Sequence, residues 1–446
     1  MTSLLKELAA LLGPAGVIDP ATRAAGPYLS DATQSRGIRG SADAIALPST
    51  PEQVAATLAY AYAHDVPVTP RGGGTGYAAG AVPARGILLS TERLTGVPQV
   101  HLERWLIDTP AGITTADIRG RAAANGLYYP PDPGSQESSL IGGNIATNAG
   151  GPHTHKHGVT GRWVQTLQVA VAPGELVTLG RPVSKDVSAY DLRSLMIGSE
   201  GTLGIICAAQ LRLIPAPEAA LPLLGRYPDT RTGTEAIGQV LSSGAIPAAL
   251  EYLDANASGD GHFLLIAEAE GTTEAAREEA ALIREAMEPG AIALEAPTGR
   301  SAIDALWRWR DGISLAVTAR RGGKLSEDIV VPVTRLAEAI DEVIEIGARH
   351  GLEACSWGHA GDGNLHATFL IDRSDRGEID RAESAAEELF ALAMSLGGSV
   401  SGEHGIGALK RAAAARALSP EVVRLNAQIK RALDPKGLLN PGKKLP

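Results

Sequence analysis

The chain has 446 residues, of which 44% are hydrophobic and 4% aromatic, and a formal net charge of −10. That length suggests two or three domains with cores of Leu, Val, Ile and Ala, and the acidic balance disfavours nonspecific nucleic-acid binding and adhesion to anionic membranes. Two cysteines, Cys207 and Cys355, rule out a disulfide framework and make a reducing cytoplasm the expected compartment, and with no run near ~20 apolar residues no membrane-spanning helix is expected.

Residues 1–13 read as a short amphipathic helix without the charged start, long apolar run or cleavage site of a signal peptide. Residues 51–64 read as a helix opening at Pro51 behind a Thr50 cap. Next come the strand-like VPVTP, the glycine run Arg71-Gly72-Gly73-Gly74-Thr75-Gly76, and the strand-like GILLS. Residues 167–180 pattern as a hairpin, and 205–214 as a strand ended by Pro215. A composition shift at 215–222 marks a domain boundary. Beyond it, strands and helices alternate in two rounds: PLLGRY, a helix in 231–243, AALEYLD, HFLLIAEAEG and a helix in 273–287, then SEDIVVPV, a helix near 335–350, a hairpin in 352–370, a helix near 381–398 and a strand SVSGEHG. This order predicts an α+β fold in which the second domain is a ferredoxin-like antiparallel sheet with helices on one face. A helical tail, VVRLNAQIKRALD, and the turn-rich PKGLLNPGKKLP follow.

The glycine run matches the dinucleotide fingerprint at Gly74-x-Gly76-x-x-Ala79, but a Rossmann loop must open a helix, and this one runs through Gly80 and Pro83 into another strand. No GK[ST] follows, so it is no Walker loop either. What remains is an anion nest of bare backbone N–H groups beside Arg71, or a plain interstrand turn. Glycine-dense segments at 131–135, 142–151 and 198–206 favour an extended cofactor wrapped by backbone.

Two C-terminal segments carry three histidines and a carboxylate, GHAGDGNLH (358–366) and SGEHG (401–405). If Asp362-Gly363 is a two-residue turn, His359 faces His366 with Cβ atoms roughly 5 Å apart. Two such imidazoles and an incoming glutamate describe a divalent metal site with open positions; a metal-free hydrogen-bonded pair is the alternative. His64, His101, His153, His155, His262 and His350 read as surface or loop residues.

The motifs PRGGGTG, IGGNIATNAGG, GSEGTLGII, GHAGDGNLH, SGEHGIG and NPGK, in this order, resemble the FAD-linked oxidase family of the vanillyl-alcohol oxidase and p-cresol methylhydroxylase fold. Within it they resemble the D-2-hydroxyacid dehydrogenase branch, which includes D-lactate dehydrogenase, D-2-hydroxyglutarate dehydrogenase and the glycolate oxidase flavin subunit. The resemblance runs from about Ala44 to Pro446. It implies a two-part FAD-binding domain over 1–216, a substrate domain with the metal site over 217–404, and a segment 405–446 returning to the FAD.

By that resemblance, Pro70, Arg71, Gly72, Gly73, Gly74, Thr75 and Gly76 bind the FAD pyrophosphate. Asp132, Pro133, Gly134, Ser135, Gly143, Asn144, Asn148, Gly151, Gly158 and Val159 line the flavin. Glu200, Gly201, Gly204 and Ile206 hold the adenosine half and the ring edge, and Asn440 approaches from the tail. The first loop has no histidine to attach the cofactor, so FAD is expected to be non-covalent. His359, His366 and Glu403 correspond to ligands of a divalent metal (zinc, manganese or iron). His404 corresponds to the base, and Arg310 to the clamp on the substrate carboxylate, with Ser314, Lys324 and Thr368 nearby. The hydroxyglutarate branch would have threonine at 314 and asparagine at 368, so Ser314 and Thr368 leave its second carboxylate pocket unsupported. His157 stands where tyrosine is common. The resemblance implies oxidation of a small D-2-hydroxy acid to the 2-oxo acid by hydride transfer from C2 to flavin N5. The electrons would pass to an electron-transfer flavoprotein, a quinone or an iron–sulfur protein. A homodimer is compatible with this reading. Two alternatives are a flavin subunit feeding an iron–sulfur partner and a transferase like alkyl-dihydroxyacetone-phosphate synthase; the paired HxGDxNLH and GEHG motifs argue against the transferase.

Overall fold

The structure, a computed structural model, describes residues 3–445; Met1 and Thr2 of the predicted N-terminal helix and Pro446 of the tail lie outside the described residues. The chain forms two compact units. The first comprises the residues up to Ala149, Val159–Ala216 and those from Glu403 on; the second comprises Gly150–Gly158 and Pro217–Gly402. Relative to the expected boundaries, the second unit also takes a nine-residue excursion at 150–158, and the SGEHG motif divides between Gly402 and Glu403. Among the described residues, no helix is long and apolar enough to cross a membrane.

The first unit holds a four-stranded sheet and a five-stranded antiparallel sheet. Strand Val68–Arg71 runs parallel to Ile87–Ser90, which runs parallel to Ala44–Ala46. The helix Pro51–Ala63 forms as predicted, with the Thr50 hydroxyl accepting from the Gln53 N–H, and it buries Val54, Leu58 and Ala61 in the core shared with Val68, Ile87 and Leu89. The predicted hairpin is the antiparallel pair Val164–Val171 and Glu175–Leu179. The tail adds to the free side of Val68: its N–H donates to the Leu438 carbonyl and its carbonyl accepts from Asn440.

The second unit is built on one seven-stranded antiparallel sheet, so the two rounds of the pattern merge into a single layer. Antiparallel partners point to the same side. The register therefore puts Glu251, Leu253, Leu264, Glu268, Glu270, Lys324, Asp328, Cys355, Trp357, His359, His366, Thr368 and Leu370 on one face. The long helix Arg300–Arg321 covers that face, with Ile313 and Val317 packed on Leu253, Leu264, Trp357 and Leu370.

Three local expectations fail. The hairpin is not closed by a two-residue Asp-Gly turn: Ala360–Asp362 form a 3-10 turn, Gly363 takes φ 69°, and Trp357 rather than His359 lies opposite His366. SVSGEHG is not a strand; only Ser399 bridges to Val330. The segment 142–151 is not an open loop, because its first half forms the short helix Ile141–Thr147.

Candidate active site

In the first unit, strand Val68–Arg71 ends in the glycine run, which opens no helix before the next strand at Ile87. A Cβ at position 73 would lie 2.2 Å from the Ser138 carbonyl oxygen, and one at 72 would lie 3.2 Å from Gly143 Cα. Only glycine lets this loop lie flat against the start of helix Ile141–Thr147. The two walls bound a cleft lined by Pro70, Arg71, Gly72, Gly73, Gly74, Thr75, Gly76, Gly143, Asn144, Glu200, Gly201, Gly204, Ile206 and His404. Asp31, Thr91 and Leu140 also line it and were not read from the sequence, as does Gly142 of the glycine-dense segment 142–151; Asp31 precedes every motif and carries no local signal.

The polar groups of this cleft fit an extended, charged cofactor. Arg71 donates to the Pro27 carbonyl at 2.9 Å, while its Nη1 and the Oδ2 of Asp31 are buried with no hydrogen-bond partner among the described residues. Burial pushes the Arg71 pKa down and that of Asp31 up, so a bound polar group satisfying both would relieve a real desolvation cost. Glu200 adopts φ 53° and accepts from the N–H groups of Ile406 (2.9 Å) and Gly407 (2.7 Å). That brace holds the segment just after His404. Asn440 reinforces it, donating to the Gly80 and Glu200 carbonyls at 3.0 and 2.7 Å. The His404 ring lies 4.8 Å from that of Tyr77, centroid to centroid.

Other expected cofactor residues do not line this cleft. Asn148 caps the short helix in the left-handed region and accepts from Gly161. Asp132 lies 4.0 Å from Arg119. Pro133, Gly134, Ser135 and Val159 are elsewhere in the first unit, and Gly151 and Gly158 are in the second.

In the second unit, the sheet face and its covering helix assemble a buried polar cluster. Trp307, Arg310 and Ser314 share one side of helix Arg300–Arg321 through three- and four-residue spacing. Each meets the sheet: Trp307 donates to Glu268, Arg310 to Glu251, and Ser314 receives the Lys324 ammonium at 2.5 Å. Glu251, missed from the sequence, is fully buried and joins Arg310 to His359, whose Nδ1 lies 2.6 Å from its Oε1. Burial pushes the Glu251 carboxyl up, but the Arg310 guanidinium and the His359 imidazole outweigh it and hold the pKa below its ordinary value. The ionised carboxylate accepts the Nδ1 proton and leaves Nε2 of His359 as the donor for a metal. The His366 ring lies edge-on at 5.4 Å. The histidines are thus neighbours despite the shifted register. Burial lowers the Lys324 pKa to about 8, and its ammonium lies 4.9 Å from the Trp357 ring centroid. Thr368 is buried and bonded to Ser326.

Asp328, also missed, faces His366 across the ladder and accepts from Asn364, Ser401 and the Gly402 N–H. A Cβ at 402 would lie 2.4 Å from the Asn364 amide, so glycine is required there. Glu403 is the next residue in the chain. The donor chemistry of two imidazoles and a carboxylate suits a divalent transition metal. His153, expected to be a plain loop residue, bonds to the buried Glu268 at 3.0 Å, and His157 bonds to Glu270 at 2.6 Å.

The glycine-walled cleft with its guanidinium, braced beside an imidazole, fits an extended dinucleotide cofactor, and residues 42–180 match the FAD binding domain family. Residues 216–444 match the family of FAD linked oxidases, C-terminal domain, and the chain belongs to the FAD-linked oxidases. Glycolate oxidase subunit GlcD of Bacillus subtilis is 32% identical, over 90% of this chain and 88% of its own length. D-lactate dehydrogenase of Archaeoglobus fulgidus is 35% identical (89% and 90%), and D-2-hydroxyglutarate dehydrogenase of Stutzerimonas stutzeri is 33% identical (99% and 98%). Among solved structures, 4-ethylphenol oxidase from Gulosibacter chungangensis shares the fold, with a TM-score of 0.81 at 18% identity over 99% of this chain and 96% of that one.

Proposed function

We propose that this protein oxidises a small D-2-hydroxy acid of the D-lactate type to the 2-oxo acid. The observation that carries the reading is the sheet face of the second unit, where His359, His366, Arg310 and Lys324 gather on one side. The names of the similar proteins, acting on lactate, glycolate and 2-hydroxyglutarate, support the substrate class. The cleft residues would hold FAD non-covalently, and the flavin would supply a hydride acceptor for C2. His359, His366 and Glu403 would hold a divalent cation, which would supply Lewis acidity.

The chain's own groups do the rest. Arg310 Nε is buried with no hydrogen-bond partner among the described residues, while Nη2 on the same edge of the guanidinium donates to Glu251. The Nε–H donates to the substrate carboxylate and the Lys324 ammonium adds charge. His404 takes the hydroxyl proton on an imidazole nitrogen, a step worth roughly 10²–10⁴-fold.

Anaerobic titration of the flavin bands with D-lactate, D-2-hydroxyglutarate and glycolate identifies the substrate by bleaching. His404→Ala is expected to keep its flavin and lose single-turnover bleaching; unchanged bleaching removes the role of the base. A second reading concerns where the electrons go. Cys207 and Cys355 are the two cysteines of the chain, too few to supply the thiolates of an iron–sulfur centre. Electrons would then leave to a separate acceptor protein, and a cysteine-rich protein co-purifying with the chain would distinguish this case from turnover by the chain alone with a dye.

A further inference from the structure

The excursion Gly150–Gly158 carries an HxxxH pattern, His153 and His157, at the start and end of the short helix Thr154–His157. Four-residue spacing puts both rings on one side. Opposite them, strand Phe263–Gly271 presents Glu268 and Glu270, two residues apart and so on one face of the sheet. Their side chains are only 4% and 6% exposed. The Nε2 of His153 lies 3.0 Å from Glu268 Oε1, and the Nε2 of His157 lies 2.6 Å from Glu270 Oε1. Donor atoms of His153, Glu268 and Glu270 all fall within 4.8 Å of one another. Trp307 Nε1–H donates to the other oxygen of Glu268 at 2.8 Å, which orients that carboxylate so that Oε1 faces the histidine. The nearby ammonium of Lys156, 3.5 Å from Glu270, offsets one of the two buried carboxylates.

We propose that His153, Glu268 and Glu270, with His157 bonded to Glu270, form a second divalent-metal site that clamps the excursion to the sheet of the second unit. One imidazole and two carboxylates make an NO₂ set that suits a divalent metal such as Zn²⁺ or Co²⁺, with His157 orienting Glu270 from behind. A divalent cation there balances the carboxylate charge that one ammonium leaves over, and burial strengthens the attraction. This clamp shares no ligand with the proposed site at His359, His366 and Glu403.

The test is metal stoichiometry in the full chain with its FAD, stripped with a chelator, reloaded with Zn²⁺, desalted and measured by mass spectrometry. Two zinc ions per chain are expected for the unaltered protein, and one each for the double variants H153A/H157A and H359A/H366A. A protein whose zinc content is unchanged in H153A/H157A overturns the clamp. In H359A/H366A, Co²⁺ is expected to give tetrahedral visible bands at one equivalent, and these disappear on adding His153→Gln; absence of Co²⁺ binding in H359A/H366A overturns the clamp even if H153A/H157A fails to fold. A single zinc lost only in H359A/H366A refutes the clamp and upholds the catalytic metal. A single zinc lost only in H153A/H157A does the reverse. Simple imidazolium–carboxylate pairing at the four residues would show as no metal retained there, and would refute the proposal.

Discussion

Replacing Glu251 separates two consequences of one buried carboxylate. Its side chain is 0% exposed and joins Arg310 to His359. In Glu251→Ala, the guanidinium loses its counter-charge while only 9% of its side chain is exposed, and breaking a buried pair in this way costs about 3–5 kcal/mol. Glu251→Gln keeps the shape but has one oxygen and one amino group for two donors. Arg310 can only donate, so it claims the oxygen. The amide N–H₂ then faces His359 Nδ1 and forces the proton onto Nε2, the nitrogen needed for the metal. Loss of such a supporting carboxylate lowers metal affinity about 10–100-fold, with a stability loss of about 1.5–3 kcal/mol for the charge-assisted bond. Urea unfolding followed by tryptophan fluorescence, and Zn²⁺ competition against a chromophoric chelator, measure the two effects. Because the folded Glu251 pKa is held below its unfolded value near 4.3, the stabilisation is complete above that pH and disappears only as the pH falls through the lower, folded value. The reasoning is refuted if Glu251→Ala loses less than about 1 kcal/mol, or if Glu251→Gln binds zinc as tightly as the unaltered chain.

Three further outcomes follow from the geometry. Gly73→Ala places a methyl 2.2 Å from the Ser138 carbonyl and is expected to abolish FAD retention, read as loss of the flavin absorbance of purified protein with circular dichroism unchanged. Burial raises the Asp254 pKa to about 6, and its carboxyl accepts from Ala257 and Ser356. Its share of stability is therefore full below about pH 4 and falls by about 2–3 kcal/mol as the pH rises to about 6; Asp254→Asn should flatten that window in urea midpoints. Lys324, lowered by burial to about 8, should make KM for the hydroxy acid rise above about pH 8, and Lys324→Met should raise KM at neutral pH and remove the inflection.

Much of the fold was legible because its signals are local. The Thr50–Pro51 helix start, the hairpin read at 167–180 and the glycine loop that leads to a strand each depend on residues within a few positions of one another. The closeness of His359 and His366 was legible too, although the turn between them was misread: Asp362 closes a 3-10 turn rather than a two-residue loop, and this shifts the register by two. Glu251 gave one faint sign, a charge set among Leu250, Tyr252 and Leu253, but its role depends on partners 59 and 108 residues away. His153 and Asp328 likewise acquire meaning only from strands that are not consecutive in the chain.

The sequence alone determined the cofactor class and the glycine backbone that lines the cleft, because these reside in short motifs and backbone conformations set by near neighbours. Only the tertiary structure decided which charges share a buried face, since strand order and register bring distant carboxylates to histidines and arginines and so govern tautomer and charge.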